Sequence, residues 1–179
     1  MHLCNKREID ELMAAGSLEI HPAGHFLDEH RVALHLHELY EVVGDVDLRA
    51  PHGTAVERIA LPDARLSPES FYLGVTRERL SLGLGLAASL HTRSRYARLG
   101  LETLQSSNFV VPGFGNAKPA PIVFEITVRR PTRGLDSEEV YCFLNVYRIA
   151  FPRTEPNTKD YTSRFPMLRR HRVGGGRQS

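Results

Sequence analysis

Apolar and polar residues alternate with a period of two over much of this 179-residue chain, and long helical periodicity is scarce. From Arg31 to Val43, residues Val32, Leu34 and Leu36 point one way and Arg31, Ala33, His35 and His37 the other, which predicts a half-buried strand. Ala120 to Arg129 repeats the pattern: Ile122, Phe124, Ile126 and Val128 share one face, and Pro121, Val123, Glu125, Thr127 and Arg129 the opposite one. Phe71–Glu78 reads as another strand, Val56–Leu61 as a short one within a loop-rich stretch, and Ser17–Pro22 as one ended by proline. Leu80–Leu90 is apolar but carries Gly83 and Gly85, and is read as strand rather than helix. Val140–Phe151 is apolar on both faces apart from Asn145 and Arg148, as for a strand covered on both sides in the core or at a subunit contact.

One helix is clear. Asn5 and Glu8 have the spacing of a capping box, Ile9, Leu12 and Met13 follow at helical spacing, and Gly16 stops the run, which predicts a helix over 6–15. Strand-like segments recurring about every 10–15 residues, with no longer helix, predict an all-β sandwich or barrel with one or two short helices.

Length fits one domain with a sizeable core. No apolar run reaches the roughly 20 residues of a membrane span, and Met1–Arg7 lacks a secretion-signal core. Cys4 and Cys142 make neither a disulfide framework nor a metal knuckle, so a reducing cytoplasm is the expected compartment. Charge is uneven. Residues 152–179 hold seven arginine and lysine side chains against Glu155 and Asp160, a net +5 that leaves −3 elsewhere. The chain therefore divides into a β domain over 1–156 and a basic, flexible tail over 157–179.

Arg93, Ser94, Arg95 and Arg98 fall within six residues. Guanidinium is a planar five-donor fork suited to phosphate, so the cluster is a candidate anion site, although such runs also occur as solvated faces. His35 and His37 would place two imidazoles on one strand face in the manner of a metal pair. No third ligand stands at local spacing, and no metal site is assigned. The His-x-Glu and Pro-Cys-x-x-Cys signature of zinc deaminases is missing, so zinc-dependent deamination is set aside.

The order Arg93-Ser94-x-x-Ala97-Arg98-Leu99-Gly100-Leu101, then Pro112-Gly113-Phe114, then a strand carrying Glu125, resembles the core of the dCTP deaminase branch of the trimeric dUTPase superfamily. Lys6-Arg7-Glu8-Ile9, followed by Gly16-Ser17-Leu18-Glu19-Ile20-His21-Pro22, is similar to that family's opening, and Phe71, Leu73, Thr76 and Glu78 also match its spacing. The resemblance implies a distorted, jelly-roll-like barrel of the dUTPase type and a homotrimer with sites between subunits. It also implies zinc-independent hydrolysis of a cytosine deoxynucleotide, dCTP to dUTP and ammonia. Position by position, Glu125 is the implied general base, Ser94 the group that positions water and substrate, and Arg98 the cation that holds the glutamate. Ser107 would order the water. Arg93, Arg95, and Lys159, Tyr161 and Arg164 from the tail would bind the nucleoside triphosphate, with Mg²⁺ as its companion. Neither nucleic acid nor membrane is an expected partner.

The chain departs from the family at several positions. Arg95 replaces the usual second serine, and Thr92 a common glycine. Arg31-Val32-Ala33-Leu34-His35 replaces Ser-x-Asp-x-Arg, and Cys142 or Phe143 stands for a glutamine. The link 115–121 is longer than usual. Val111 replaces the aspartate that the dUTPase branch uses to activate water, so dUTPase activity is not expected. The alternative is a nucleotide-binding or regulatory relative that has lost turnover. A β domain that binds a protein partner is the third reading.

Overall fold

The computed structural model describes residues 1–45, 49, 55–104 and 108–150. In chain order these form β1 (His2–Leu3), α1 (Lys6–Ala14), β2 (Leu18–His21), β3 (Arg31–Val43), β4 (Ala55–Ile59), a 3-10 turn (Leu61–Asp63) and β5 (Arg65–Leu66). Then come β6 (Phe71–Leu82), β7 (Leu86–Thr92), α2 (Ser94–Arg98), β8 (Leu101–Leu104), β9 (Phe109–Val110), β10 (Ala120–Val128), β11 (Thr132–Arg133) and β12 (Val140–Arg148). Among the described residues this is a mainly β fold with two short helices, as the alternation predicts. The tail 157–179 lies outside the described residues.

Ten of these strands join in one antiparallel, curled half-barrel sheet in the order β8-β10-β6-β3-β12-β7-β9, with β1 on β12, β2 on β6 and β4 on β3. The buried side chains of the long strands form one main core cluster. Tyr72, Phe124 and Tyr141, each at most 1% exposed, are the largest fully buried side chains. Truncating any of them to alanine removes about 3–5 kcal/mol. α1 closes one end through Ile9 and Leu12. Its start is fixed as read: the Glu8 amide donates to Asn5 Oδ1 at 3.0 Å, and the Asn5 amide donates to Glu8 Oε2 at 2.9 Å.

Three readings are corrected. Leu80–Leu90 is two strands, not one: β6 runs on to Leu82 and the chain turns through Gly83-Leu84-Gly85 into β7. A Cβ at Gly83 would come within 2.8 Å of the Ser17 carbonyl oxygen, so the glycine is required by close approach. β12 is covered on one face only: Tyr141, Cys142, Leu144 and Val146 are buried, while Phe143, Asn145 and Tyr147 stay half-buried. β3 is buried on both faces from Val32 to Leu36. His35 is therefore interior. Its amide donates to Glu78 Oε2 at 2.8 Å and its Nδ1 lies 2.7 Å from Glu78 Oε1. Thr76 Oγ1 donates to the Glu78 carbonyl at 2.7 Å and accepts from the Ile122 amide at 2.9 Å, so this buried polar group is internally satisfied.

These contacts mark a crease in the sheet. The ladder slips between Leu36 and Glu38 on β3, between Pro121 and Val123 on β10, and between Val140 and Cys142 on β12. Bulges increase local twist, and here they turn one half of the sheet against the other. The slip at His37 leaves that imidazole exposed while His35 is 5% exposed, so the two rings do not share a face as a metal pair would.

Candidate functional site

α2 is a turn and a half tied down at one residue. Tyr96, 7% exposed, packs its ring 5.2 Å from that of Tyr141, which lies 5.6 Å from Phe124 in the core. Its hydroxyl donates to Glu139 Oε2 at 3.1 Å, and burial, followed by the Glu139 hydrogen bond and charge, pushes the phenol up to about 12. Of the neighbouring leucines, Leu101 is buried, but Leu99 is 67% exposed, so it does not pack beneath the arginines. Gly100 adopts φ +82° and carries the chain into β8, its carbonyl accepting from the Arg129 amide at 2.7 Å.

Anchoring Tyr96 inward turns its neighbours outward. Ser94 and Arg98 are exposed, and Arg93 is half-buried. Among the described residues, none of their side chains has a hydrogen-bond or ion-pair partner. Arg95 does: its guanidinium meets Glu139 at 3.0 Å, with both side chains about half exposed. Glu139 thus holds two consecutive residues of α2, and sequence reading missed it because it lies 43 positions from Tyr96.

Glu125 sits on β10, opposite Leu73 of β6 and Leu104 of β8. The link 115–121 does not loosen this register, because it is pinned along β6. The Leu82 amide donates to the Phe114 carbonyl at 2.8 Å, Arg79 Nε to the Pro119 carbonyl at 3.1 Å, and Ala120 and Pro121 pair with Leu80 and Arg79. Glu125 lies on the face of β10 opposite the buried Phe124 and Ile126, half-buried, and no described side chain bonds its carboxylate. Beside it on that face lies a small apolar patch, in which Leu73, Val56 and Val123 pack on Tyr40 and Val75.

Among the described residues, Glu125 makes no hydrogen bond or ion pair with Arg93, Ser94, Arg95 or Arg98. Tyr96 ties α2 to Tyr141, whose ring lies beside Phe124 in the core, whereas Glu125 alternates with the buried Phe124 and Ile126 along β10. Ser107, Lys159, Tyr161 and Arg164 lie outside the described residues. Of the two positions read for the missing glutamine, Cys142 is fully buried, and burial together with the Glu78 charge pushes its thiol well up. Phe143 is the outward one. Its ring stacks on His91 at 5.2 Å and receives the Arg31 guanidinium at 4.9 Å, a stack not read from sequence. No group of three or more His, Cys, Asp or Glu among the described residues is placed to hold a metal, and the β3 residue opposite Phe143 is Ala33.

The described residues define a mainly β protein of one curled antiparallel sheet, with an exposed arginine-serine helix and a strand whose glutamate no described side chain bonds. The family model "dCTP deaminase-like" matches residues 3–135, and the chain belongs to that family. Among curated proteins it is 28% identical over 121 residues to a "dCTP deaminase, dUMP-forming" of Corynebacterium jeikeium, covering 63% of this chain and 64% of that protein. It is 29% identical over 121 residues to the protein of the same description from Salinispora tropica, covering 63% of each. The matches thus span somewhat under two thirds of those relatives' length. The crystal structure of 2'-deoxycytidine 5'-triphosphate deaminase from Agrobacterium tumefaciens superposes with a TM-score of 0.61 at 17% identity, over 83% of this chain and 48% of that one, and shows the shared fold. No helix among the described residues is long and apolar enough to cross a membrane.

Proposed function

We propose that this chain hydrolyses the exocyclic amine of a cytosine deoxynucleotide, dCTP to dUTP and ammonia, at a site assembled between copies of itself. One observation carries the reading: among the described residues Glu125 on β10, and Ser94 and Arg98 on α2, have no hydrogen-bond or ion-pair partner and make no contact with one another. A second copy that covers the apolar patch around Glu125 would bring its own α2 to that carboxylate. Three such contacts close a ring, hence a homotrimer.

In that assembly Glu125 takes a proton from water as the oxygen attacks C4, and returns it to the leaving amine, so that ammonia departs with both electrons of the C–N bond. Ser94 positions the water and the base. Arg98 holds the carboxylate ionised and faces the charge that develops. Arg93 and Arg95, together with Lys159, Tyr161, Arg164 and the Ser107 backbone, bind the remaining parts of the nucleotide. Mg²⁺ would arrive on the triphosphate oxygens, because Ala33 leaves no carboxylate beside Phe143. The product is the triphosphate, since Val111, 39% exposed ahead of Pro112, cannot activate water for attack on phosphorus.

A mixing experiment tests the shared site. Copies carrying Glu125→Gln and copies carrying Arg98→Ala are each inactive, and co-refolding them in equal amounts should restore about a quarter of the wild-type ammonia release, because random trimers recombine an intact pair at that frequency. No recovery from well-folded mixed trimers would place both groups in one chain's site and overturn the reading. The Arg95–Glu139 pair and Phe143 favour a second reading, a binding-only relative, under which wild type binds dCTP and releases no ammonia.

A further inference from the structure

β3 changes partners half-way along one edge. β12 pairs it from Arg31 to His35 and β4 from Leu39 to Val43, so Leu36, His37 and Glu38 have no ladder partner there. His37 is also the extra residue of the slip against β6, where Leu36 meets Thr76 and Glu38 meets Val75. A bulge re-aims a side chain, and here it throws the imidazole out between two buried neighbours. The gap opens as a notch of about 490 Å³, lined by His37, by Arg58 to Pro62 at the end of β4 and into the 3-10 turn, and by Ser137 ahead of β12.

Among the described residues the lining holds one imidazole, one guanidinium and one hydroxyl, and no acidic side chain. Glu38 lies behind Arg58 and is 4% exposed, its carboxylate 3.6 Å from the guanidinium and accepting the Tyr40 hydroxyl at 2.7 Å. That separation is too long for a hydrogen bond, so Glu38 steers Arg58 by charge and leaves its N–H fork, 60% exposed, unspent. The acids on either side of Ser137 are engaged elsewhere: Glu138 with Arg77 at 3.2 Å, and Asp136 accepting the Glu138 amide at 2.8 Å. Ile59, Leu61 and Pro62 supply an apolar wall next to these donors.

We propose that this notch binds a small oxyanion, phosphate or carboxylate, carried on a compact apolar ligand. Arg58 takes two of its oxygens with the guanidinium fork, while the His37 ring N–H and the Ser137 hydroxyl complete the donor set. The apolar body of the ligand packs on Leu61 and Pro62. None of Arg93, Ser94, Arg98 and Glu125 is among the residues lining the notch, although Arg58 lies in register with Glu125 on one face of the sheet, across Tyr40 and Leu73.

The test uses the full chain, isotopically labelled, with inorganic phosphate and benzoate added separately while the His37 ring and Arg58 Nε–H resonances are followed. Saturable shifts at both residues with either probe are expected, and the probe that saturates identifies the anion. Arg58→Gln should weaken that binding about tenfold or more, the loss typical of a charge-assisted contact, whereas Arg98→Ala should leave it unchanged. His37→Asn, at an exposed position, should weaken it severalfold and serves if Arg58→Gln fails to fold. Shifts confined to Arg93 and Arg98, shifts that rise without saturating, or affinities indifferent to both notch variants would overturn the proposal. Loss of deamination in the mixing experiment bears on Glu125 and Arg98 alone.

Discussion

Among the described residues no side chain bonds the Glu125 carboxylate, which leaves both of its oxygens for a water. Glu125→Gln should abolish ammonia release while keeping nucleotide affinity within about tenfold, since the amide preserves shape but cannot accept the proton; normal turnover in that variant would exclude Glu125 as the base. Arg95 poses a different question, because Glu139 already holds it. An exposed pair of this kind is worth about 0.2–1 kcal/mol, little enough for a triphosphate to displace. Glu139→Gln should therefore tighten triphosphate binding by up to about fivefold, and Arg95→Ser should weaken it and flatten its salt dependence, both measurable by calorimetric titration at two ionic strengths. The arginine cluster and Glu125 were legible because their spacing is local. Glu139 was not, nor was the burial of His35 against Glu78, because partners more than 40 positions away leave no trace in a strand's alternation.

α2 as an element depends on one ring. Tyr96 is neutral up to about pH 12 in the fold, while a phenol in the unfolded chain titrates near 10. Its folded value is raised, so the stability linked to it is complete below pH 10 and is lost as pH climbs from about 10 to 12. Denaturation midpoints measured across that window should fall in the wild type and fall less in Tyr96→Phe. The link before β10 has its own weak point. Gly115 sits at φ +72°, and a Cβ there would come 2.1 Å from the Leu80 carbonyl oxygen. Gly115→Ala should cost more than about 1 kcal/mol in chemical denaturation, through strain and through displacement of the strand that carries Glu125. β10 matches its period-two reading from Ile122 to Val128, whereas β3, read from the same alternation, is buried on both faces. The break within Leu80–Leu90, between two strands that do not pair with each other, hid because a glycine-rich apolar run has no period to betray its turn, and β12 looked two-sided because half-exposed Phe143 and Tyr147 count as apolar in sequence.

At the scale of the whole molecule, the apolar patch beside Glu125 sets the expectation of a trimer. Sedimentation at micromolar concentration should give three copies, and Leu73→Glu, which places a charge in that patch, should shift the distribution towards monomer while the far-ultraviolet spectrum stays that of a β protein. A wild-type monomer that releases ammonia would refute the shared site. The family was legible in a few short motifs, and the homotrimer only as what that resemblance implies, because a single strand's pattern does not say which chain covers it.

β3 has one further consequence. Its first half is paired by β12, whose residues lie more than 100 positions downstream, and its second half by β4 and β6. On the ribosome, at about 5–20 residues per second, the β4 and β6 partners emerge first. The long apolar edge from Arg31 to His35 then waits several seconds more, open to any other strand, until β12 clears the exit tunnel. Nascent chains halted before Val140 should accordingly recruit strand-shielding chaperones, and those released after Arg148 should not.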